Sequence, residues 1–439
     1  MKKYTIDYLL KPVHKFIHLE FTGGIVLFLA VVAALIWANS PAGESYYTIW
    51  ELELSAGIAG STFSQPLHVW INDGLMALFF FVIGLELKRE FIAGELSSWK
   101  KASLPMIAAL GGMLVPALIY TAFNHDLPSS AGWGIPMATD IAFALGLLSL
   151  AGKRVPPSVK VFLSALAVAD DLGAVLVIAI FYTGSIAWAP LLIALGVLCL
   201  LWAGNRIGIR STVFYLIGGV IVWYFFLLSG VHATIAGVLV ACMIPARTKI
   251  NEEQYVTSMK RYTDMFERAI PQNNSLTTAE QHHTIGRIKK LSLDAETPLQ
   301  KIESGLHPWV AFLIMPLFAL ANSGIIIDSS FFYSLTTPVS MGVSAGLVIG
   351  KFAGIASFIW LSVKLGWTEL PVNAVWRHMI GVALLAGVGF TMSLFITALA
   401  FDDPGMINSA KSGILLASFI SGILGIIVLK SGQKGRPAY

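Results

Sequence analysis

Charge is what this chain has least of: only 12% of its 439 residues are Asp, Glu, Lys or Arg, against about 25% in soluble domains. That shortage excludes an ordinary water-soluble domain. The 56% hydrophobic content and mean hydropathy of +0.75 point to an integral membrane protein. Cysteine is almost missing. Cys199 and Cys242 lie in apolar runs with no CxxC partner and no histidine at ligand spacing. A zinc site built on them is thereby excluded, and each is expected as a buried small apolar side chain. The apolar runs also lack paired histidines at ligand depth, which argues against a haem-bearing electron carrier. No catalytic or nucleotide-binding pattern occurs in the longest polar stretch, 245–305. The first residues, MKKYTIDYLLKPVHKF, have no uninterrupted apolar core because Lys11, His14 and Lys15 break it. A retained first span is expected there rather than a cleaved signal.

What is present is a succession of apolar runs, most of them near the length of about 20 residues that crosses a bilayer as a helix. Twelve spans are expected, at 21–39, 66–87, 102–123, 132–151, 157–182, 188–202, 211–228, 231–244, 308–325, 335–365, 376–401 and 406–429. Basic residues orient them. Of 29 Lys+Arg, all but Lys351, inside a span, and Lys411 fall on one side. Glu44, Glu51, Glu53, Asp126, Asp328, Asp402 and Asp403 fall on the other. Both termini are therefore expected in the cytoplasm, and the formal net charge of +4 reports topology rather than a nucleic-acid partner. The expected organisation is a cytoplasmic segment 1–20, spans 1–8 over 21–244, a polar cytoplasmic insertion over 245–306, spans 9–12 over 307–430 and a cytoplasmic tail 431–439. Trp50-Glu51-Leu52-Glu53-Leu54 alternates apolar and acidic ahead of Gly57 and Gly60, consistent with an outer hairpin at about 46–60 or an amphipathic loop. Residues 277–293 of the insertion are expected as a helix at the membrane surface.

Four charges lie deep within spans: Asp140, Asp170, Asp171 and Lys351. One carboxylate at that depth costs about 2.5–3.5 kcal/mol on insertion scales, and adjacent ones resist each other's ionisation. Pairing of Lys351 with one aspartate is the purely structural alternative. It cannot absorb all three carboxylates, so protons or cations must balance the rest. Successive helix residues point about 100° apart. One of Asp170 and Asp171 can therefore meet Lys351 while the other faces a cavity, and Gly173 leaves room for a second backbone. A hard cation such as Na⁺ takes oxygen ligands, which Asp171 with Thr139 or Asp140 can supply.

Asp140 shares its span with Gly134 and Pro136, and seven spans later Gly387 and Gly389 sit ahead of Phe390-Thr391. Both spans are expected to unwind at these residues, although close helix packing also accounts for glycines. A break exposes half-helix ends, positive at N-termini and negative at C-termini. Asp140 suits two facing N-terminal ends and Lys351 two facing C-terminal ends. Interrupted spans at matching places in two halves mark a carrier site between inverted repeats, here spans 3–5 and 10–12. The expected fold is an all-α polytopic membrane protein of twelve transmembrane helices, with inverted repeats and broken, crossing spans 4 and 11.

The chain resembles the NhaA family of sodium/proton antiporters along all twelve spans. The motifs that carry the likeness are Asn72-Asp73-Gly74, FFFVIGLELKRE at 79–90, MATDIAF at 137–143, ADDLG at 169–173, SGVHAT at 229–234, LHPWV at 306–310, Gly350-Lys351 and GVGFTMS at 387–393. That family is itself among the cases behind the inverted-repeat rule. The resemblance implies an electrogenic exporter of Na⁺ or Li⁺ in exchange for protons, in a bacterial inner membrane and with no cofactor. It implies Asp171 as the principal ion ligand helped by Thr139, Asp170 as partner of Lys351, and Asp140 as the balance for the crossed helices. It further implies a pH-responsive cluster at Glu86, Arg89, Glu90, Glu303 and His307, a pH-linked His232, and a homodimer joined through the outer hairpin. Glu303 and His307 are spaced i, i+4, on one helix face. Gln300 and Ser304 stand where the family's cluster has a lysine and a histidine, and the insertion is longer than the family pattern.

Two rival readings use the same carboxylates. An intramembrane aspartyl protease needs two carboxylates sharing a proton and resembles a GxGD motif absent here, and it leaves Lys351 without a task. A sodium-coupled symporter of small organic anions differs from an exchanger in needing a second substrate. The protease reading fails on both counts, so a non-enzymatic carrier is expected, and proton movement on adding Na⁺ alone, with no organic substrate, separates exchanger from symporter.

Overall fold

The computed structural model describes residues 22–58, 61–184, 186–269 and 277–431. The basic segment 1–20, Gly60 and all of the expected tail beyond Ser431 lie outside the described residues. Within them, eight helices are long and apolar enough to cross a membrane: Leu67–Ala93, Trp99–Asn124, Pro157–Phe181, Trp188–Ile207, Thr212–Ser229, Pro298–Asn322, Pro338–Lys364 and Pro404–Lys430. They are spans 2, 3, 5, 6, 7, 9, 10 and 12. Thr22–Ala38 is span 1, and the shorter Ala233–Met243 is span 8. Spans 4 and 11 are broken. Pro128–Met137 (4a) and Ile141–Leu150 (4b) meet at a 44° bend, and Trp376–Leu385 (11a) and Phe390–Ala400 (11b) at 42°. The architecture is an all-helical, multi-pass membrane protein with two broken spans at matching positions.

Local chemistry sets where these helices begin and end. Spans 9, 10 and 12 start with one device: Thr297, Thr337 and Asp403 accept a hydrogen bond from the backbone N–H three residues on, and Pro298, Pro338 or Pro404 follows directly. The side chain satisfies an orphan donor, and proline at the first helical position removes another. Spans 6 and 7 stop at Gly208 (φ +93°) and Gly230 (φ +78°), in the left-handed region. Span 9 accordingly begins at Pro298 rather than near 308. Glu303 and His307 therefore lie on its first turns.

Small residues bring spans 3 and 10 close. A Cβ on Gly350 would lie 2.7 Å from Pro116 Cα, and one on Gly354 would strike the Gly111 backbone, as in small-residue packing of membrane helices. Gly173 of span 5 faces the Met113 side chain of span 3, so the close approach expected there is made by a side chain and not a backbone. Spans 2, 9 and 10 each carry a π-helical turn, at Trp70–Leu75, Val310–Ile314 and Gly346–Gly350. The last of these ends at Lys351.

Two further expectations are corrected. The outer hairpin pairs β1 (Glu53–Ile58) with β2 (Ser61–Pro66), antiparallel with Glu53 opposite Pro66, and does not start at 46. Residues Gly43–Glu51 are helical. Tyr46 and Trp50, one turn apart, are both buried, and the Tyr46 hydroxyl donates to Leu320 O at 2.7 Å. A helical period in this stretch outweighs the alternation seen from Trp50 onward. In the insertion, Ala279–Ala295 overlaps the helix expected at 277–293, and a further helix, Glu252–Arg268, packs on it. Each opens with a reciprocal cap, Asn251/Gln254 and Thr278/Gln281. Cys199 and Cys242 are exposed rather than buried, on helix faces that turn away from the protein interior.

Candidate functional site

Asp170 and Asp171 occupy the middle of span 5, 2% and 1% exposed. Lys351, fully buried, donates from Nζ to Asp170 Oδ2 at 2.5 Å. Among the described residues, Asp170 Oδ1 and both carboxylate oxygens of Asp171 have no hydrogen-bond partner. The 100° step between neighbours on a helix separates the pair as expected: one carboxylate is held by a lysine and the other is bare. Asp171 lies within charge–charge range of Asp170, Asp140 and Glu86. An acceptor buried without a donor is unfavourable by about 1–3 kcal/mol, more when charged. A proton or a cation removes that deficit.

The crossing of spans 4 and 11 supplies the rest. After Met137 the backbone of Ala138 is extended, so no helical bond links 4a to 4b. Asp140 N donates instead to Val388 O of the other break at 2.8 Å. Asp140 is the N-cap of 4b: Oδ1 accepts from Phe143 N at 2.9 Å, while Oδ2 accepts from Thr391 N at 3.2 Å and from Thr391 Oγ1 at 2.5 Å. One carboxylate thus serves the N-terminal ends of both 4b and 11b. That is the placement favoured by half-helix dipoles.

The C-terminal ends are served differently from the expectation. Thr139 Oγ1 donates to Ala386 O, at the end of 11a, at 2.9 Å. Ser393 Oγ donates to Ile135 O in 4a at 2.8 Å. Lys351 makes no hydrogen bond to these carbonyls among the described residues and bonds Asp170 instead. Thr139 also faces Asp170. With its proton on Ala386, the hydroxyl keeps lone pairs for a cation.

Gly134, Pro136, Gly387 and Gly389 all lie at close approaches around this crossing. Gly134 N donates to the Tyr182 hydroxyl at 3.2 Å, and that hydroxyl donates to Ala131 O at 2.7 Å. Pro136 packs against Gly346 of the π turn in span 10. A Cβ on Gly387 would sit 2.7 Å from Ser421 Oγ, and one on Gly389 would sit 2.9 Å from Ala138 O. Thr391, Ser393 and Tyr182 were not singled out in the sequence as site residues. Hydroxyls directly after a Gly-x-Gly break are the signal that marks the first two, since such a break leaves backbone groups for them to bond.

A second cluster gathers at the far end of span 2. Arg89 bonds Glu303 of span 9, and its Nη2 lies 3.2 Å from Glu90 Oε1. Glu90 Oε2 accepts from Glu95 N at 2.9 Å. Glu86 lies within charge–charge range of Glu303, Arg89 and Glu90, and His307 of Arg89. Lys88 closes the end of span 8, donating to Cys242 O at 2.6 Å and Ile244 O at 2.5 Å. His232 is not part of this cluster. It donates from Nε2 to Tyr182 O at 2.5 Å and faces Asp73. Asp73 and Arg89 are 16 positions apart on span 2, roughly 24 Å at 1.5 Å per residue.

Comparison with known proteins agrees with this geometry. The family model described as Na+/H+ antiporter 1 matches residues 14–429. The chain is 48% identical over 432 residues to the Na(+)/H(+) antiporter NhaA of Acidithiobacillus ferrooxidans, covering 97% of this chain and 99% of that protein. It is 46% identical over 432 residues to the Na(+)/H(+) antiporter NhaA of Oleidesulfovibrio alaskensis, with 98% and 96% covered. Against Na(+)/H(+) antiporter NhaA 2 of Syntrophotalea carbinolica it is 46% identical over 437 residues, with 99% and 100% covered. The chain therefore belongs to the NhaA family of Na⁺/H⁺ antiporters.

Proposed function

We propose that this antiporter exchanges cytoplasmic Na⁺ or Li⁺ for external protons at Asp171, electrogenically and under pH control. The observation that carries the reading is the pair of unpartnered, buried oxygens on Asp171. Deprotonated, Asp171 offers a hard cation two oxygens, and Thr139 Oγ1 and the free Asp170 Oδ1 add two more. Protonated, it carries no charge. A bare Asp171 carboxylate then never crosses, because that group moves only as carboxylate plus cation or as carboxylic acid.

With the Asp170–Lys351 pair intact, one Na⁺ replaces one proton and no net charge moves. Electrogenic exchange needs that pair to change by a further proton when Asp170 turns to the ion. Such strongly interacting groups titrate together. Asp140 stays with the two helix ends and is not transported upon. Glu86, Arg89, Glu90, Glu303 and His307 regulate from the cytoplasmic ends of spans 2 and 9, and His232 acts separately from the opposite end. The protein has no enzymatic step and no cofactor. It sits in the bacterial inner membrane with both termini cytoplasmic, and forms a homodimer through the β1–β2 hairpin.

The test is Na⁺- and Li⁺-driven proton movement in everted vesicles, read by a pH-sensitive dye, for the wild type and Asp171→Asn. Abolished exchange in the variant is expected. Wild-type exchange would remove Asp171 from the ligand set.

A further inference from the structure

The mechanism makes no use of a groove that opens sideways between span 1, half-helix 4b and span 12. Its volume is about 460 Å³, within the range of small-molecule sites. Phe28, Leu150, Phe419 and Ile426 line it, and apart from Ser418 its walls are apolar or glycine. Phe28 and Phe419 are 49% and 66% exposed, so no helix among the described residues covers the groove and it faces the bilayer. Its floor is the crossing itself. Phe143 and Phe390 both line it, with ring centroids 5.8 Å apart. Phe143 N is held by Asp140, and Phe390 N donates to Ser418 Oγ at 3.3 Å.

One mouth of the groove is basic. Leu150 and Ile426 end its lining on 4b and span 12. Lys430 follows Ile426 by one helical turn on span 12, and Arg154 lies in the short 3-10 turn Gly152–Arg154 that follows the end of 4b. The two come together there: Arg154 Nη1 donates to Lys430 O at 2.8 Å. Both side chains are exposed. An apolar slot open to lipid with two cations at its end fits a molecule with a hydrocarbon tail and an anionic head. Basic residues at the membrane surface attract anionic headgroups, each by about 1 kcal/mol.

We propose that this groove is a binding site for an anionic phospholipid. One acyl chain lies on Phe143 and Phe390, and the phosphate sits at Arg154 and Lys430. The lipid thereby rests on the first turns of both half-helices that Asp140 caps, and any movement of the crossing must repack its chain.

Native mass spectrometry of the detergent-solubilised full chain, incubated with equal amounts of phosphatidylglycerol and phosphatidylcholine, tests the site. Retention of phosphatidylglycerol over phosphatidylcholine is expected. Lys430→Gln, which keeps the backbone carbonyl bonded to Arg154, should weaken retention about fivefold, and adding Arg154→Gln about fivefold again. Val32→Trp, which fills the groove away from both cations, should lower retention with the headgroup site unchanged. Equal retention of the two lipids, or wild-type phosphatidylglycerol retention in the double charge variant or in Val32→Trp, would overturn the site. Binding is read without a transport assay, so failure here leaves Asp171 untouched.

Discussion

Lys351 and Asp170, 181 residues apart in sequence, meet at 2.5 Å inside the bundle. This contact divides two adjacent aspartates into unlike groups. Asp170 has a resident cation, whereas Asp171 has none, and an exchanger needs that difference. Replacing Lys351 by Gln leaves Asp170 buried with a neutral partner. The expected result is a stable protein whose Na⁺/H⁺ exchange no longer responds to membrane potential, measured in proteoliposomes clamped with valinomycin. Unchanged potential dependence would separate the pair from the charge balance.

Competition between Na⁺ and H⁺ at one carboxylate fixes a sign. Protonation of Asp171 removes the ligand, so the apparent KM for Na⁺ must rise as pH falls. One competing proton gives about tenfold per pH unit in the acidic limit. A KM that is flat with pH while the maximal rate changes would place the proton elsewhere.

Asp140 accepts from two helix N-termini at once. Losing a cap costs about 0.5–2 kcal/mol. Asp140→Ala removes both caps and should lower the thermal midpoint in detergent more than Thr391→Val, which removes only the hydroxyl bond. Asp140→Asn, which keeps an acceptor, should fall between the wild type and Asp140→Ala.

Gly389→Ala introduces a Cβ 2.9 Å from Ala138 O and 2.8 Å from Leu347 Cδ2. The break in span 11 must shift by a fraction of an ångström, and small displacements of a reacting geometry reduce rates by up to about 100-fold. Exchange should fall at least tenfold, on that scale, with the protein still inserted and eluting like the wild type in size-exclusion chromatography.

The Arg89–Glu303 contact ties span 2 to span 9. Glu303→Gln and Arg89→Gln should each move the pH of half-maximal exchange and leave the slope of Na⁺ competition unchanged. If neither variant moves the profile, this cluster does not regulate.

The broken spans, the paired aspartates and the lysine were readable from the sequence for one physical reason. Charge and helix breakers are so disfavoured inside a bilayer that each occurrence stands out against an apolar background. The pairing of Asp170 rather than Asp171 with Lys351 rested on resemblance, because a helical period places the two residues on different faces but does not say which face meets span 10. Thr139 at the Ala386 carbonyl and Thr391 at Asp140 were hidden for a related reason. A hydroxyl's partner depends on how two breaks cross, which span-by-span periodicity does not encode. The helix Gly43–Glu51 and the first helix of the insertion were missed at the polar margins. There a turn of apolar residues such as Tyr46 and Trp50 competes with strand-like alternation, and no bilayer length filters the choice.

Proton release on Na⁺ binding tests the exchange site most directly. Purified protein in weakly buffered detergent solution is titrated with NaCl while pH is recorded, for the wild type and Asp171→Asn. Wild-type protein should release protons saturably, and Asp171→Asn should release none while Asp140→Asn still does. Saturable release of wild-type size from Asp171→Asn would contradict the assignment.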